Sequence, residues 1–170
     1  MPDQPSPPAP LVDDMLCLAL HTAARSMTAR YRPTLVALGL TYPQYLVMVL
    51  LWQEGSSSVS GVGARLGLES STLSPLLKRL EAAGLITRAR SATDERSVTV
   101  SLTPRGHALR ADAADVPAQI CDAAGLDEAA QADLVARLRA LTERLDRATS
   151  QLSPGTGPTA GSATSPATGR

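Results

Sequence analysis

The sequence has few aromatic residues and no net charge. Of its 170 residues one is Trp, three are Tyr and none is Phe. The core must therefore be built largely from Leu, Val and Ala, which suits packed helices. Sixteen basic residues balance sixteen acidic ones, but residues 60–105 carry seven basic and four acidic residues, and residues 106–150 carry five and eight. A basic module followed by an acidic one is typical of a DNA-contacting head on a helical body.

Long apolar runs and a signal peptide are also lacking. The longest apolar run, residues 46–52, has seven residues, whereas about twenty are needed to span a bilayer. The first ten residues are Pro-rich and carry an acid, which is unlike a signal peptide. We therefore expect a cytoplasmic protein without membrane contact. In that reducing compartment Cys17 and Cys121 are not expected to form a constitutive disulfide. No metal site and no cofactor are predicted.

The N-terminal part of the chain predicts two helices. From Leu11 to Arg30 apolar residues recur every three or four positions, which indicates an amphipathic helix. Pro33 should kink or end this helix. Thr41 to Gln44 has capping-box spacing, with Pro43 tolerated in the first turn. The helix that follows should run to about residue 53 and is apolar on most faces, so it should be buried.

The next segment has the layout of a helix-turn-helix. Gly55 to Ser58 is predicted to be a loop. Val59 to Leu66 predicts a short helix and Gly67 a tight turn. Ser70 or Ser71 can cap a second helix that ends near residue 83. An ordinary helical hairpin has the same pattern, so these residues alone leave DNA binding open.

A hairpin follows the two helices. Ser97 to Leu102 alternates polar and apolar residues, which predicts a half-buried strand, and Leu85 to Arg90 is a plausible partner. The polar loop between them, residues 91–96, contains an Arg suited to a minor groove. A solvated hairpin loop is the alternative to a DNA-binding wing. Together these elements predict a mainly α fold with a small β-wing, a winged helix-turn-helix.

The C-terminal part predicts further helices and a dimer. Pro104 should restart a helix that reaches residue 124, with a kink or break at Pro117. Asp127 should cap the last helix, in which Leu134, Leu138, Leu141 and Leu145 form a heptad-like seam. The first helix of the same chain or a second subunit could cover this seam. A two-fold dimer would also present two recognition helices to a palindromic operator.

We therefore predict one domain over residues 11–150. Its winged helix-turn-helix spans about 56–104, and its N- and C-terminal dimerisation helices span about 11–38 and 104–150. Residues 1–10 and 151–170 should be disordered, because Pro, Gly, Ser, Thr and Ala dominate the tail.

The candidate DNA contacts lie on the second helix and on the wing. Short hydroxyl side chains at its start can reach bases or phosphates, whereas the basic residues further along suit phosphates. The residues predicted to contact double-stranded DNA are Ser70, Ser71, Thr72, Ser74, Lys78, Arg79, Arg88, Asp94 and Arg96.

Several of these segments resemble a known family. Residues 72–81 (TLSPLLKRLE), 94–96 (DER) and 102–106 (LTPRG) resemble MarR-type regulators. Residues 16–20 (LCLAL), 31–33 (YRP) and 40–48 (LTYPQYLVM) resemble the OhrR branch, repressors that sense organic hydroperoxides. The match covers roughly residues 11–150. By position, the resemblance implies that Asp94 orients the Arg96 guanidinium in the minor groove.

The resemblance also implies roles at the cysteines. Cys17 corresponds to the thiol that attacks the peroxide, Tyr31 and Tyr42 to hydroxyl donors that stabilise its thiolate, and Cys121 to a resolving thiol. The implied disulfide joins two subunits and releases the operator. Because fourteen helical residues separate Cys17 from Tyr31, about 21 Å along one helix, we expect the tyrosines to come from the opposite subunit. Cys17 as a space-filling core residue and Cys121 as an idle helix residue remain alternatives.

Three other functions are alternatives to this hypothesis. A MarR-type regulator released by a small aromatic ligand would be insensitive to Cys17→Ser. A thiol peroxidase is disfavoured because no Cys-x-x-Cys occurs and no Arg is obviously placed to activate Cys17. A structural helical dimer without DNA contact is disfavoured by the wing. The leading prediction is a homodimeric, non-enzymatic repressor that responds to an organic hydroperoxide.

Overall fold

A computed structural model describes residues 11–90 and 97–152, and all structural statements concern these residues. A short 3₁₀ turn, Val12–Asp14, precedes the first helix. The helices are α1 (Leu16–Ala37), α2 (Tyr42–Glu54), α3 (Val59–Leu66), α4 (Ser70–Ala82), α5 (Pro104–Asp112), α6 (Val116–Ala123) and α7 (Glu128–Leu152). The strands are β1 (Ser56–Ser58), β2 (Ile86–Arg90) and β3 (Val98–Leu102).

The three strands form one antiparallel sheet in the order β1-β3-β2. Val100 at the centre of β3 pairs with Ser57 on one side and Arg88 on the other. The predicted mainly α fold with a small β-wing is confirmed. The prediction of a loop at Gly55 to Ser58 is wrong, because residues 56–58 form β1. Three serines carry no apolar alternation, so only their backbone pairing with β3 identifies them as a strand.

Helix α2 is the centre of the core. It packs against α1, α3, α4, α5 and two of the strands. Its buried side chains are Tyr45, Val47, Met48, Leu50 and Leu51, as its apolar character predicts. No single described helix is long and apolar enough to cross a membrane. Helices α1 and α2 would be long and apolar enough only if counted together, and a bend of 74° separates them.

The start of α2 confirms the predicted capping box. The backbone N–H of Thr41 donates to Oε1 of Gln44 over 2.8 Å, and the Thr41 side chain caps the third helical residue. Ser58 caps α3 by accepting from the N–H of Gly61 at 3.0 Å. The predicted cap of α4 is wrong: Glu69, not Ser70 or Ser71, is the N-cap residue, and it makes no side-chain capping bond.

Proline lies inside two helices without ending them, Pro33 in α1 and Pro75 in α4, whereas α5 and α6 carry proline in their first turn. Helix α1 continues through Pro33 to Ala37, so the prediction that Pro33 could end it is wrong. Leu35, two residues before the end of α1, is 1% exposed, and this core packing favours the helical conformation beyond the proline. The break predicted near Pro117 is confirmed, because α6 starts at Val116 with Pro117 in its first turn.

The chain divides into two compact units at Ala124 and Gly125. In the second unit, Oδ1 of Asp127 accepts from the N–H of Ala130 at 2.8 Å, which confirms the predicted cap of α7. Three leucines of the predicted seam are exposed in the single chain: Leu134, Leu138 and Leu145. The proposed domain limits and the dimerisation role stay predictions. Residues 1–10 and 153–170, which we expect to be disordered, lie outside the described part of the chain. Residues 151 and 152, included in the same expectation, form the end of α7.

Candidate functional site

Helix α4 has one buried side and one exposed side. Its leucines at positions 73, 76, 77 and 80 are buried in the core. Those leucines set the rotation of the helix, and the predicted DNA-contacting side chains on it are all exposed: Ser70, Ser71, Thr72, Ser74, Lys78 and Arg79. The exposed face thus combines hydroxyls at the N-terminus with positive charge near the C-terminus, which suits base edges and phosphates respectively.

The turn between α3 and α4 is tightly packed. Gly67 has φ +62°, a conformation that favours glycine. A Cβ on Gly63 would lie only 2.9 Å from the carbonyl oxygen of Leu68. This close approach leaves no room for a side chain at position 63, between α3 and the turn that leads into α4.

Arg88 on β2 is held by Glu81 on α4. The Arg88 Nε donates to Oε2 of Glu81 at 3.0 Å, and the Arg88 backbone N–H donates to Oε1 at 3.2 Å. Hydrogen bonding from the Arg88 side chain lowers the pKa of Glu81. The pair ties the wing to the end of α4, so a DNA contact by Arg88 would be made from this fixed position. Asp94 and Arg96, predicted at the wing tip, lie outside the described residues.

A tyrosine pair lies between α1 and α2. The ring centroids of Tyr31 and Tyr42 are 4.8 Å apart, and those of Tyr31 and Tyr45 are 5.9 Å apart. Burial, and then negative charge on Tyr42, Tyr45 and Cys121, raises the pKa of Tyr31 to about 12. Cys121 lies on α6, which packs against α1, the helix of Tyr31, and its charge contributes to the raised pKa of Tyr31. We call Tyr31, Tyr42 and Cys121 the tyrosine–cysteine cluster.

Helix α6 brings Cys121 to this cluster by packing on α1. The Thr34 hydroxyl donates to Oε1 of Gln119 at 3.4 Å, and Val116 and Ile120 are buried. The burial of these two apolar residues determines the rotation of α6. Cys121, the next residue along, is half-buried as a result.

Cys17 lies on a different part of α1. It is exposed in the single chain, so the alternative of a core residue has no support from its own chain. Because α1 runs without a break from Leu16 to Ala37, Cys17 and Tyr31 are about 21 Å apart along the helix. The described chain has no Cys17–Cys121 disulfide. One chain thus brings together Tyr31, Tyr42 and Cys121, and leaves Cys17 away from them.

A groove of about 1100 Å³ runs along α1 to the start of α2. His21, Arg25 and Arg32 contribute polar groups, and Leu35 and Tyr42 are among its other lining residues. The sequence pattern did not single out the two arginines or Tyr45 as functional residues. Arg25 and Arg32 are two helical turns apart, a spacing that could have placed them on one face. No cluster of His, Cys, Asp and Glu among the described residues could hold a metal ion.

In sequence and fold this chain is similar to known transcriptional regulators. Residues 30–112 match the family model described as transcriptional regulator SarA/Rot. An organic hydroperoxide resistance transcriptional regulator of Bacillus subtilis is 48% identical over 109 residues, covering 64% of this chain and 74% of that protein.

Two proteins of known structure share the fold. Reduced AbfR bound to DNA, from Staphylococcus epidermidis, is 30% identical with a TM-score of 0.65, over 79% of this chain and 94% of that one. AbfR has also been solved with a disulfide formed, with a TM-score of 0.54, 30% identity, and coverage of 77% and 92%. BpsR of Bordetella bronchiseptica, whose DNA binding is regulated by 6-hydroxynicotinic acid, has a TM-score of 0.72 and 26% identity, over 79% of this chain and 98% of that one.

Proposed function

This chain belongs to the SarA/Rot (MarR-like) family of winged-helix transcriptional regulators, and from that premise we propose that it is a homodimeric repressor that senses organic hydroperoxides. Its relatives and its fold are those of DNA-binding regulators, not of enzymes. The thiol peroxidase alternative is therefore set aside. We propose an organic hydroperoxide as the signal, a second copy of this chain as the partner, and specific residues for sensing and for DNA binding.

The proposed DNA contact uses α4 as the recognition helix. The exposed hydroxyls of Ser70, Ser71, Thr72 and Ser74 would enter the major groove, while Lys78 and Arg79 bind phosphates. Arg88 would contact the backbone. Arg96, oriented by Asp94, would enter the minor groove. In a two-fold dimer, two such units would bind the half-sites of a palindromic operator.

The single observation that carries the sensor proposal is the tyrosine–cysteine cluster, from which Cys17 of the same chain is absent. A second copy of the chain could bring its Cys17 to this cluster, because Cys17 is exposed on α1. Tyr31, with a pKa of about 12, keeps its proton at neutral pH and can donate it in a hydrogen bond to a thiolate. Such donation stabilises the charged form of Cys17 and lowers its pKa.

The proposed reaction is a two-electron oxidation of two thiols by one hydroperoxide. The Cys17 thiolate attacks the terminal peroxide oxygen, the O–O bond breaks, and the alkoxide takes a proton to leave as an alcohol. Cys17 is then a sulfenic acid. The Cys121 thiolate attacks the Cys17 sulfur, the S–O bond breaks, water leaves, and an inter-subunit disulfide forms.

Disulfide formation would move helices that bear on the DNA-binding units. The two Cα atoms of a disulfide are rarely more than about 7 Å apart. If the reduced dimer holds them further apart, α6 and the partner's α1 must approach. That movement would change the spacing of the two recognition helices and release the operator.

Mixed dimers test whether the bridge joins two subunits. Wild-type protein treated with one equivalent of cumene hydroperoxide should run as a covalent dimer on a non-reducing gel. Cys17→Ser alone and Cys121→Ser alone should remain monomeric. A co-expressed mixture of the two variants should restore one bridge per dimer, because each mixed dimer retains one Cys17 and one Cys121 on opposite chains. Only monomers in the wild type and in the mixture would exclude the inter-subunit disulfide.

A second candidate signal is a small aromatic acid. The groove along α1 carries Arg25 and Arg32, and BpsR responds to 6-hydroxynicotinic acid. An aromatic ring would pack on the apolar wall, and a carboxylate would pair with an arginine. This candidate predicts that an aromatic acid releases DNA equally from wild type and Cys17→Ser. The hydroperoxide proposal predicts no such release.

A further inference from the structure

All four aromatic residues of the chain form one continuous series of ring contacts. The sequence contains one Trp, three Tyr and no Phe. Tyr42 contacts Tyr31, Tyr31 contacts Tyr45, and the centroids of Tyr45 and Trp52 are 6.3 Å apart with the rings at 68°. We call this series the aromatic ladder. In a core otherwise built from aliphatic side chains, the aromatic residues are all on one path.

The ladder begins at the tyrosine–cysteine cluster and ends beside the wing. Tyr42, Tyr45 and Trp52 lie on α2, and Tyr31 reaches them from α1. At the far end the Trp52 indole N–H donates to the carbonyl oxygen of Gly106 at 2.8 Å. Gly106 lies in the first turn of α5, directly after β3.

Gly106 has no room to move independently of the wing. A Cβ at this position would overlap the carbonyl oxygen of Leu85 and lie 3.2 Å from Cδ2 of Leu102. Leu85 directly precedes β2 and Leu102 ends β3, so we call Leu85, Leu102 and Gly106 the wing root. A displacement of Gly106 must move the start of one wing strand and the end of the other.

The middle of the ladder is equally confined. Tyr45 is 4% exposed, and protein interiors are packed as densely as organic crystals, so a displaced ring moves its neighbours rather than filling empty space. Small shifts at one site become larger rearrangements where packed elements have discrete arrangements. A change in the position of Tyr31 or Tyr42 is therefore passed along α2 instead of being absorbed beside the thiols.

We propose that Tyr45 and Trp52 are positioning residues that relay the state of the tyrosine–cysteine cluster to the wing root. The inference rests on the proposed sensor site and adds how that site controls the DNA-binding element. Trp52 acts through its hydrogen bond to Gly106 and touches neither the thiols nor DNA. Loss of that bond uncouples the wing from the thiols while the fold and the thiol chemistry remain.

The first test compares how much hydroperoxide weakens operator binding. We would measure the Kd for the operator by fluorescence anisotropy, once with reduced protein and once with cumene hydroperoxide-treated protein. The ratio is the Kd of the treated protein divided by the Kd of the reduced protein. Trp52→Phe keeps a ring in place and removes the N–H donor. We expect its ratio to fall at least about tenfold below that of wild type, with the disulfide still forming on a non-reducing gel. Leu66→Ala, at a half-buried position on α3, is the control for lost stability and should keep the wild-type ratio.

The outcomes separate the relay from the sensor. A wild-type ratio of one would overturn the sensor proposal and, with it, the relay that depends on that sensor. A normal wild-type ratio that is unchanged in Trp52→Phe would overturn the relay alone. An equal loss of affinity in both redox states of Trp52→Phe would likewise leave the ratio unchanged, and would assign Trp52 a purely structural role.

The second test needs no peroxide. A double-mutant cycle on operator binding by reduced protein would combine Tyr31→Leu, at the thiol end of the ladder, with Trp52→Phe. Independent sites give effects on Kd that multiply within about twofold. The relay predicts that the double variant departs from the product of the single effects by more than about threefold. It also predicts that this departure disappears in a Tyr45→Leu background. Multiplicative effects in the wild-type background would overturn the relay even if the sensor proposal holds.

Discussion

The ring of Tyr31 on α1 packs against the ring of Tyr42 on α2, with 4.8 Å between their centroids. This contact joins the long helix that carries Cys17 to the central helix of the core. Helix α6, which carries Cys121, packs against α1, whereas Cys17 of the same chain lies about 21 Å along α1 from Tyr31. The proposed sensor follows from this arrangement, because the reactive thiol must then come from a second copy.

Tyr31→Phe should slow the oxidation of Cys17 without preventing it. Losing one hydrogen bond to a thiolate raises the thiol pKa by about one unit, so the thiolate fraction below that pKa falls about tenfold. Stopped-flow measurement of hydroperoxide consumption against pH should show the rate profile displaced to higher pH. An unchanged profile would remove Tyr31 from the thiolate site. Operator binding by the reduced variant is the control for folding.

Lys78→Ala and Arg79→Ala should each weaken operator binding uniformly across DNA sequences. Each proposed phosphate contact releases about one counterion, so the slope of log K against log salt should fall by about one per variant. Arg137→Ala removes the same charge from α7, where Arg137 pairs with Asp133 at 2.8 Å. This control should retain the wild-type slope. Slopes that match the control would mean that α4 does not bind phosphates at these positions.

Gly106→Ala should destabilise the fold strongly. The added methyl group would overlap the carbonyl oxygen of Leu85, and such overpacking against the backbone costs about 3 kcal/mol. Gly61 is a matched control, because both glycines donate their N–H to a capping hydroxyl over 3.0 Å. A Cβ at Gly61 meets only serine hydroxyls, at 2.8 and 3.0 Å. Urea unfolding should show Gly61→Ala to cost less than half as much; equal costs would contradict the close packing at the wing root.

The Glu81–Arg88 pair should make stability depend on pH in the acid range. Hydrogen bonding from Arg88 lowers the pKa of Glu81 in the folded protein below its ordinary value. Its contribution to stability is thus fully present above the unfolded-state pKa and is lost as pH falls through the lowered folded-state value. Thermal unfolding of Glu81→Gln should lack this part of the acid dependence. Parallel curves for wild type and variant would show that the pair contributes nothing measurable.

Local sequence rules predicted much of the fold because its chemistry is local. The capping box of Thr41 and Gln44, the αL turn at Gly67 and the break at Pro117 depend on neighbouring residues only. Residues 56–58 could not be recognised as a strand, because β1 exists through its pairing with β3 far along the chain. Glu69 rather than a serine is the N-cap residue of α4, and local rules do not fix which residue of such a polar run begins the helix.

Only some residues of the candidate site could be named from the sequence, and local sequence rules were not what identified them. Tyr31, Tyr42 and Cys121 were named from a resemblance, and the helix length between Cys17 and Tyr31 is the reason for proposing that they meet across two subunits. The aromatic ladder could not be predicted, since Trp52 and Gly106 meet only in the folded core. Nothing in the spacing of these two residues indicates a hydrogen bond between them.

Operator release by an organic hydroperoxide tests the central claim most directly. Fluorescence anisotropy of a labelled duplex from the promoter beside the gene would follow binding by reduced protein, before and after one equivalent of cumene hydroperoxide. We predict release of the duplex by wild type, recovery of binding with dithiothreitol, and no release by Cys17→Ser. Binding that persists unchanged after hydroperoxide in wild type would contradict the account, as would equal release by Cys17→Ser.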